Sequence, residues 1–294
     1  MGGLGVFKNK VISFSIVISC ILFVVVLALE KTKMIFKFVP MFRGEVSVNN
    51  FVITTTNDGS PILVNEDNPN VGGQLRVFGT VRSRFNNIIS DFYNDNSVVI
   101  EVGPQFGYNT ISLAKGLKDG GKVYAFEANS RICSALRKTL VLNNIDDKVV
   151  IKDIAISDHK GVCDIPDVLS IKEISDGVYS KARIFSAQCS TLDEEMVDEN
   201  RPVDLVAVDI PDMEIPILRS CESIIERSPD IVLIFTFDND PVHSGAETEF
   251  TKLKAKGLKF YIATEKGKYT QIESIDELLK KKDVILIITR RDLG

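Results

Sequence analysis

From Ser97 onward the chain carries seven short, unbroken apolar runs, and this succession constrains the fold more than any other feature. The runs are Val98-Val99-Ile100, Lys122 to Phe126, Val149 to Ile151, Val203 to Val208, Ile231 to Phe237, Leu258 to Ala263 and Val284 to Ile288. A strand buried on both faces reads as continuous Val/Ile/Leu, and parallel neighbours need a crossover of helix length between them. The stretches between the runs have that length. The pattern therefore predicts an α/β fold with a doubly wound, Rossmann-like sheet of seven mostly parallel strands. The last two runs, joined by Lys266 to Lys282, allow an antiparallel edge pair. Residues 160–190 show little periodicity and are expected to form an irregular insertion over the sheet face.

Upstream the pattern differs. Val46, Val48, Phe51 and Ile53 alternate, Asn57-Asp58-Gly59-Ser60 reads as a turn, and Pro61-Ile62-Leu63-Val64 follows, which together predict a β-hairpin. Leu75, Phe78, Val81, Phe85, Ile88, Ile89 and Phe92 then recur at spacings of three and four, predicting one amphipathic helix over Gln74 to Tyr93.

The mean hydropathy, +0.11, is high for an α/β enzyme, and its source is local. Val11 to Leu29 is an uncharged stretch of 19 residues between Lys8 and Lys10 on one side and Glu30, Lys31 and Lys33 on the other. As a helix it is roughly 28 Å long, close to the hydrocarbon thickness of a bilayer. Residues 1–33 are therefore read as an N-terminal transmembrane anchor. The rival is a secretory signal cleaved after Val26-Leu27-Ala28, although the apolar run is longer than the usual h-region. The expected organisation is an anchor over 1–33, a hairpin-plus-helix extension over 34–96 and an α/β domain over 97–294.

Net charge divides along the same line. Residues 1–45 carry +4 and the remaining 249 carry −9. The acidic part excludes a nucleic-acid footprint, and the basic flank Lys31, Lys33, Lys37 and Arg43 suits anionic lipid. Five scattered cysteines without C-x-x-C spacing predict neither a disulfide framework nor a zinc site, and His159 and His243 are too far apart in sequence to suggest a metal centre.

The first run leads into Glu101-Val102-Gly103-Pro104-Gln105-Phe106-Gly107, a loop before a helix. Glycines at 103 and 107 permit a tight turn and close approach of a ligand. The spacing is E-x-G-x-x-x-G, which departs from the G-x-G-x-x-G that seats a pyrophosphate on a helix N-terminus. An acidic residue at the strand end suits a ligand with an amino group and a cationic centre. The second run ends in Glu127, 20 residues after Gly107, where a carboxylate can accept hydrogen bonds from both ribose hydroxyls. The third ends at Asp153-Ile154-Ala155, where a carboxylate can receive an adenine amino group.

These blocks resemble the class I S-adenosylmethionine-dependent methyltransferases, and among them the FkbM type. The resemblance rests on Ile100 to Thr110, Gly121 to Asn129, Ile154-Ala155-Ile156-Ser157-Asp158 and Ser190-Thr191-Leu192-Asp193-Glu194, and extends over Val98 to about Ile288. It implies S-adenosyl-L-methionine as cofactor, with Glu101, Gly103 and Gly107 forming the methionine-side loop, Glu127 holding the ribose, and Asp153 with Ala155 near the adenine. The fourth strand end departs from the family pattern I-K-I-D-x-E-G-x-E. Here it reads Val206-Ala207-Val208-Asp209-Ile210-Pro211-Asp212-Met213-Glu214, keeping Asp209 and Glu214 but replacing the lysine, the first glutamate and the glycine. The fifth strand carries Thr236 where the family usually has a glutamate.

Methyl transfer needs donor and acceptor held in line, and a hydroxyl acceptor must also lose a proton. Asp209, at a C-terminal strand end beside the switch point of the sheet, is the candidate base, with Glu214 behind it. The expected activity is O-methyl transfer to a sugar, glycan or similar small acceptor by a membrane-tethered enzyme. Because adenosylmethionine is a cytoplasmic metabolite, the domain is expected to face the cytoplasm. A degenerate, methyltransferase-like binding or scaffold protein remains the alternative. Another nucleotide-binding α/β enzyme, such as a dehydrogenase, is disfavoured by the glycine spacing.

Overall fold

The computed structural model describes residues 50–293 apart from 119, 172–181, 211, 238–244 and 265–267. The expected anchor, Val11 to Leu29, lies outside the described residues, as do Cys20, Pro211 and His243. Among the described residues no helix is long and apolar enough to cross a membrane.

The described residues begin with the predicted hairpin: β1 (Phe51–Thr55) pairs antiparallel with β2 (Pro61–Asn65), in register from Phe51↔Asn65 to Thr55↔Pro61. The single helix expected over Gln74 to Tyr93 is instead two, α1 (Val71–Phe78) and α2 (Ser83–Ile89). Gly79 stops the first. It adopts φ +67°, donates its N–H to Leu75 O at 3.0 Å, and leaves no room for a Cβ against Asn57 N, 2.9 Å from where it would sit. Arg82 restarts the chain from another left-handed position, φ +42°. In consequence Phe78, expected on the buried face, is 68% exposed.

In chain order there follow β3 (Val98–Val102), α3 (Tyr108–Gly116), β4 (Lys122–Glu127), α4 (Ser130–Leu142), β5 (Val149–Asp153), β6 (Ala155–Ile156), β7 (Gly161–Asp167), β8 (Arg183–Ser190), α5 (Leu192–Glu195), β9 (Leu205–Val208), α6 (Glu214–Ser220), α7 (Glu222–Arg227), β10 (Val232–Phe237), α8 (Ala246–Ala255), β11 (Lys259–Ala263), β12 (Tyr269–Ile272), α9 (Ile275–Leu278) and β13 (Val284–Thr289). All seven apolar runs are strands of one sheet, but the sheet has eight, in the order β12-β11-β13-β10-β9-β3-β4-β5. The extra strand, β12, is a polar Tyr-Thr-Gln-Ile segment on the sheet edge with only Ile272 buried, so no apolar run marks it. β10, β9, β3, β4 and β5 run parallel, and β13 lies antiparallel between β10 and β11. The sheet is Rossmann-like, doubly wound and mostly parallel.

Alternation along the strands divides the core. Val99, Leu205, Ala207, Val232 and Ile234 face α1 to α4 on one side. Val98, Ile100, Val206, Val208, Leu233 and Phe235 face α5 to α9 on the other. The extension shares the first of these cores through Val52, Ile62, Leu75, Phe85 and Ile89. Leu63 N donates to Thr139 Oγ1 on α4 at 3.0 Å, tying the hairpin to that layer.

Residues 160–190, expected to be irregular, contain a hairpin. β7 and β8 pair antiparallel from Gly161↔Cys189 to Asp167↔Arg183, and β6 adds to β8 through Ala155↔Cys189. Cys163 and Cys189 form a disulfide with Cα atoms 5.9 Å apart, against the expectation of none. Their separation of 26 residues encodes nothing by itself; the pairing exists because the hairpin brings the two strands together.

Candidate cofactor and acceptor site

The strand order reverses between β3 and β9, and the crevice at their carboxyl ends is where an open α/β sheet binds ligands. A cavity of about 320 Å³ lies there, lined among others by Gly103, Gln105, Glu127, Asn129, Ala155 and Asp209. The volume falls within the roughly 300–1,000 Å³ range of small-molecule sites.

The floor is built from β3 and β4. Gly103 turns at φ +76°, and a Cβ there would collide with the Ile210 side chain. Gly107 adopts φ +95°, and a Cβ there would strike Leu136 on α4. The first glycine thus shapes the cavity, whereas the second lets the start of α3 pack on α4 and does not line it. Glu127, at the end of β4, accepts from Asn129 N at 2.9 Å through Oε1 and from Gln105 N at 3.3 Å through Oε2. Its carboxylate therefore clasps the loop after β3 to the start of α4. Burial pushes the Glu127 carboxyl up to about 7, opposed by those backbone donors.

Glu101 lies beneath the loop, 3% exposed, with Oε2 accepting from Thr110 Oγ1 at 2.7 Å and Oε1 without a hydrogen-bond partner. Its neighbours across the sheet are Ala125 on β4 and Ala207 on β9, small residues that leave space for the carboxyl. Position 207 is where the family pattern carries lysine. Burial pushes Glu101 up to about 7, with Asp209 and Glu127 adding to the rise against Thr110. An orphaned acidic oxygen beside a glycine turn fits a ligand with a cationic amino group.

Asp153 pairs with Glu127 in the β4–β5 register, but its side chain is exposed and accepts from Ser130 Oγ at 3.0 Å. It does not line the cavity; Ala155, on β6, does. Asp209 follows β9 at the cavity mouth, where burial raises its carboxyl and Arg82 holds it back down. Arg82, from the turn between α1 and α2, pairs with the Asp209 carboxylate and donates to its carbonyl at 3.3 Å. Glu214 opens α6 and is 1% exposed, outside the cavity.

A second cavity, about 410 Å³, is lined by Arg82, Arg84, Phe85, Asp212, Thr236, Phe237, Asp283, Val284 and Ile285. Asp212 lines both, and the Arg82–Asp209 pair stands between them. The carboxyl ends of β3, β4 and β9 thus open on one space, and that of β10, with the start of β13, on an adjoining one.

Residues 101–282, well over half of the chain, match the family described as the methyltransferase FkbM domain. The chain belongs to the FkbM methyltransferase family. It is an S-adenosylmethionine-dependent methyltransferase, and the fold and cofactor that the resemblance implied hold. No curated protein matches it. Among solved structures it is similar to an O-methyltransferase from Bacillus cereus in complex with SAH, at 17% identity over 71% of this chain and 82% of that one, TM-score 0.42. It is also similar to the O-methyltransferase of tomaymycin synthesis from Streptomyces achromogenes, at 13% identity, 71% and 80% coverage and TM-score 0.43. An rRNA methylase from Streptococcus thermophilus matches at 12% identity, 70% and 94% coverage and TM-score 0.42.

Two parts of this methyltransferase's site had no counterpart in the sequence reading. One is the cavity wall of Ile165, Pro166 and Phe185, which comes from the β7–β8 hairpin. The other is Arg82, supplied by the extension 127 residues before its partner Asp209. The alternating Val162-Cys163-Asp164-Ile165 and Ile184-Phe185-Ser186-Ala187 stretches signal the hairpin weakly; nothing local signals Arg82.

Proposed function

We propose that this methyltransferase transfers a methyl group to a hydroxyl of a sugar, glycan or similar small acceptor seated in the second cavity, and does so at a membrane. The observation that carries the reading is the pair of adjoining cavities at the carboxyl ends of the parallel strands, with Asp212 lining both and Asp209, at the edge of the first, paired with Arg82 of the second. Bound adenosylmethionine supplies an activated methyl group. Gly103, Glu127 and Ala155 bind and orient the donor, with Glu127 taking the ribose hydroxyls and Glu101 the charge of the amino group from below the loop. Gly107 sets the start of α3, and Asp153 flanks the adenine end from outside the cavity.

Asp209 accepts the proton of the acceptor hydroxyl. Arg82 opposes the rise that burial imposes on that carboxyl and orients it. Glu214 supports the helix that follows. The uncharged stretch Val11 to Leu29 tethers the domain to the membrane with residues from about 31 onward on the cytoplasmic side, which brings lipid-linked acceptors within reach. A second reading, cofactor binding without turnover, draws on the same Arg82–Asp209 pair, which occupies the base, and on the loss of the family's lysine and glutamate at 207 and 211.

One assay separates these readings. The full chain in membranes is incubated with methyl-labelled adenosylmethionine and a membrane extract. Label in an acceptor that is lost with Asp209→Asn supports the enzyme; tight cofactor binding with no labelled product supports the binding protein. Protease protection on intact membranes tests the topology, and digestion of the C-terminal tail from outside would overturn it.

A further inference from the structure

The disulfided hairpin carries a third group that the methyl-transfer reading does not use. A ring nitrogen of His159 and the sulfurs of Cys163 and Cys189 all lie within 4.8 Å of one another. His159 Nδ1 is 2.8 Å from Asp158 Oδ1, and Arg219 Nη1 is 3.6 Å from the other oxygen of that carboxylate. A carboxylate on one imidazole nitrogen is the arrangement that orients metal-ligating histidines, and it leaves Nε2 free. His159 is exposed, Cys163 half-buried and Cys189 buried, so the cluster is open to solvent on one side and backed by the protein on the other.

We propose that, with both cysteines reduced, Cys163, Cys189 and His159 bind one zinc ion, with water or a carboxylate in the fourth position. Two thiolates and an imidazole are a borderline-soft donor set that matches zinc. Two equivalents of an external thiol, RSH, supply the two electrons and two protons that open the Cys163–Cys189 bond, leaving RS–SR. Zinc then takes the place of both thiol protons, which pass to solvent. Thiols persist in a reducing compartment and disulfides in an oxidising one, so the metal and the disulfide are two cross-links serving the same hairpin under opposite conditions.

The cross-link matters because of where it sits. Cys189 pairs in register with Ala155, which lines the cofactor cavity, and the same hairpin contributes Ile165, Pro166 and Phe185 to the cavity wall. Pinning Cys163 to Cys189 fixes both strands behind that wall.

The test counts metal and does not depend on catalysis. The full chain is purified in detergent with a non-chelating phosphine reductant, titrated with zinc against a chromophoric chelator, and weighed by native mass spectrometry. The expected results are one zinc per reduced chain, none in the oxidised chain and none in the Cys163→Ser/Cys189→Ser variant. Asp158→Ala, at a surface position, is expected to weaken zinc affinity about 10- to 100-fold, and His159→Ala at least as much. A reduced wild-type chain that binds no zinc overturns the proposal, as does zinc retained in the double serine variant or unchanged by His159→Ala. Because both histidine and aspartate variants alter surface side chains only, their cofactor affinity, measured in parallel by calorimetry, verifies that they are folded.

Discussion

The two adjoining cavities are built on opposite principles. The first cavity, proposed to hold the donor, is floored by a backbone turn and a carboxylate engaged with main-chain donors, where Glu127 holds the N–H groups of Gln105 and Asn129, and is walled by Ile165, Pro166 and Phe185 of the β7–β8 hairpin. The second cavity, proposed to hold the acceptor, is lined by side chains from distant segments, and it joins the first through Asp212, which lines both, and through an ion pair between Asp209 and an arginine of the extension. A site made from turns tolerates little change, because each glycine is held in a left-handed conformation against a neighbour. A site made from side chains can be altered one residue at a time. Two of the chain's departures from the family pattern, Asp212 and Thr236, line the second cavity, while its first two blocks are kept.

The contrast is broken most severely by Asp209→Asn. If donor binding and proton transfer are separate properties of the two cavities, this change lowers kcat by roughly 10²- to 10⁴-fold while adenosylmethionine affinity stays within a few fold. Calorimetry and a labelled-methyl assay on the same preparation decide it. Parallel loss of affinity and rate would mean that the boundary between the cavities has been drawn in the wrong place.

Glu127→Ala is the reciprocal change. Hydrogen bonds to a charged group contribute about 1.5–3 kcal/mol each, so losing both ribose contacts weakens adenosylmethionine by at least about 100-fold. The wild-type protein also reports this carboxylate through pH. Its pKa in the unliganded protein is about 7, and only the ionised form accepts from both ribose hydroxyls. Affinity is therefore full above 7 and falls by up to about tenfold per pH unit below it. A flat affinity between pH 5 and 8 would remove Glu127 from the ribose.

Glu101 sharpens the comparison through stability. Its folded pKa, about 7, lies above the ordinary 4.5. The folded state therefore holds a proton that the unfolded state releases between those values. The penalty for burying the charge is absent below about 4.5, grows as pH rises and is complete above 7. Glu101→Gln keeps an acceptor for Thr110 and removes the charge, so it is expected to stabilise the unliganded protein by roughly 1–3 kcal/mol at pH 8 and by almost nothing at pH 4.5. Urea melts at the two values measure the difference. Adenosylmethionine affinity should fall in the same variant if, as proposed, the charge that costs stability is the one the donor's amino group meets.

How much of this was legible in the sequence follows from the range over which each feature is encoded. The seven strands and the E-x-G-x-x-x-G turn are local: continuous Val and Ile runs report burial on both faces, and glycine reports left-handed backbone. Glu127 was legible because a strand end at a fixed distance from the turn has a fixed place. β12 was not, since an edge strand with one buried residue has no apolar run. The break at Gly79 was hidden because the apolar spacing continues across it through Val81 and Phe85. Cys163–Cys189 and Arg82–Asp209 are pairings between segments 26 and 127 residues apart, which only the assembled fold brings together. Glu101 shows the same limit at the level of chemistry. Its position was readable, but its raised pKa comes from burial, with Asp209 and Glu127 adding to it, and only the assembled sheet sets that burial and brings those carboxylates near.

The smallest expected effect belongs to Arg82, and it tests whether the extension serves catalysis or only covers the sheet. Burial raises the Asp209 pKa and Arg82 opposes that rise, so Arg82→Ala leaves the carboxylate buried with less compensation and its pKa climbs. A base with a higher pKa is ionised only at higher pH, and the acidic limb of the kcat profile moves upward. Arg82 is 39% exposed, and partly exposed ion pairs contribute only about 0.2–1 kcal/mol, so the shift should stay below about one pH unit. At pH 8.5 the variant should match or exceed the wild-type rate, since the guanidinium no longer occupies the oxygen that must receive the proton. Adenosylmethionine affinity should not change, because Arg82 lines only the second cavity. A rate that falls equally at every pH would instead make Arg82 a ligand of the acceptor, and the ion pair with Asp209 would then be the resting position of a side chain that moves when the acceptor binds.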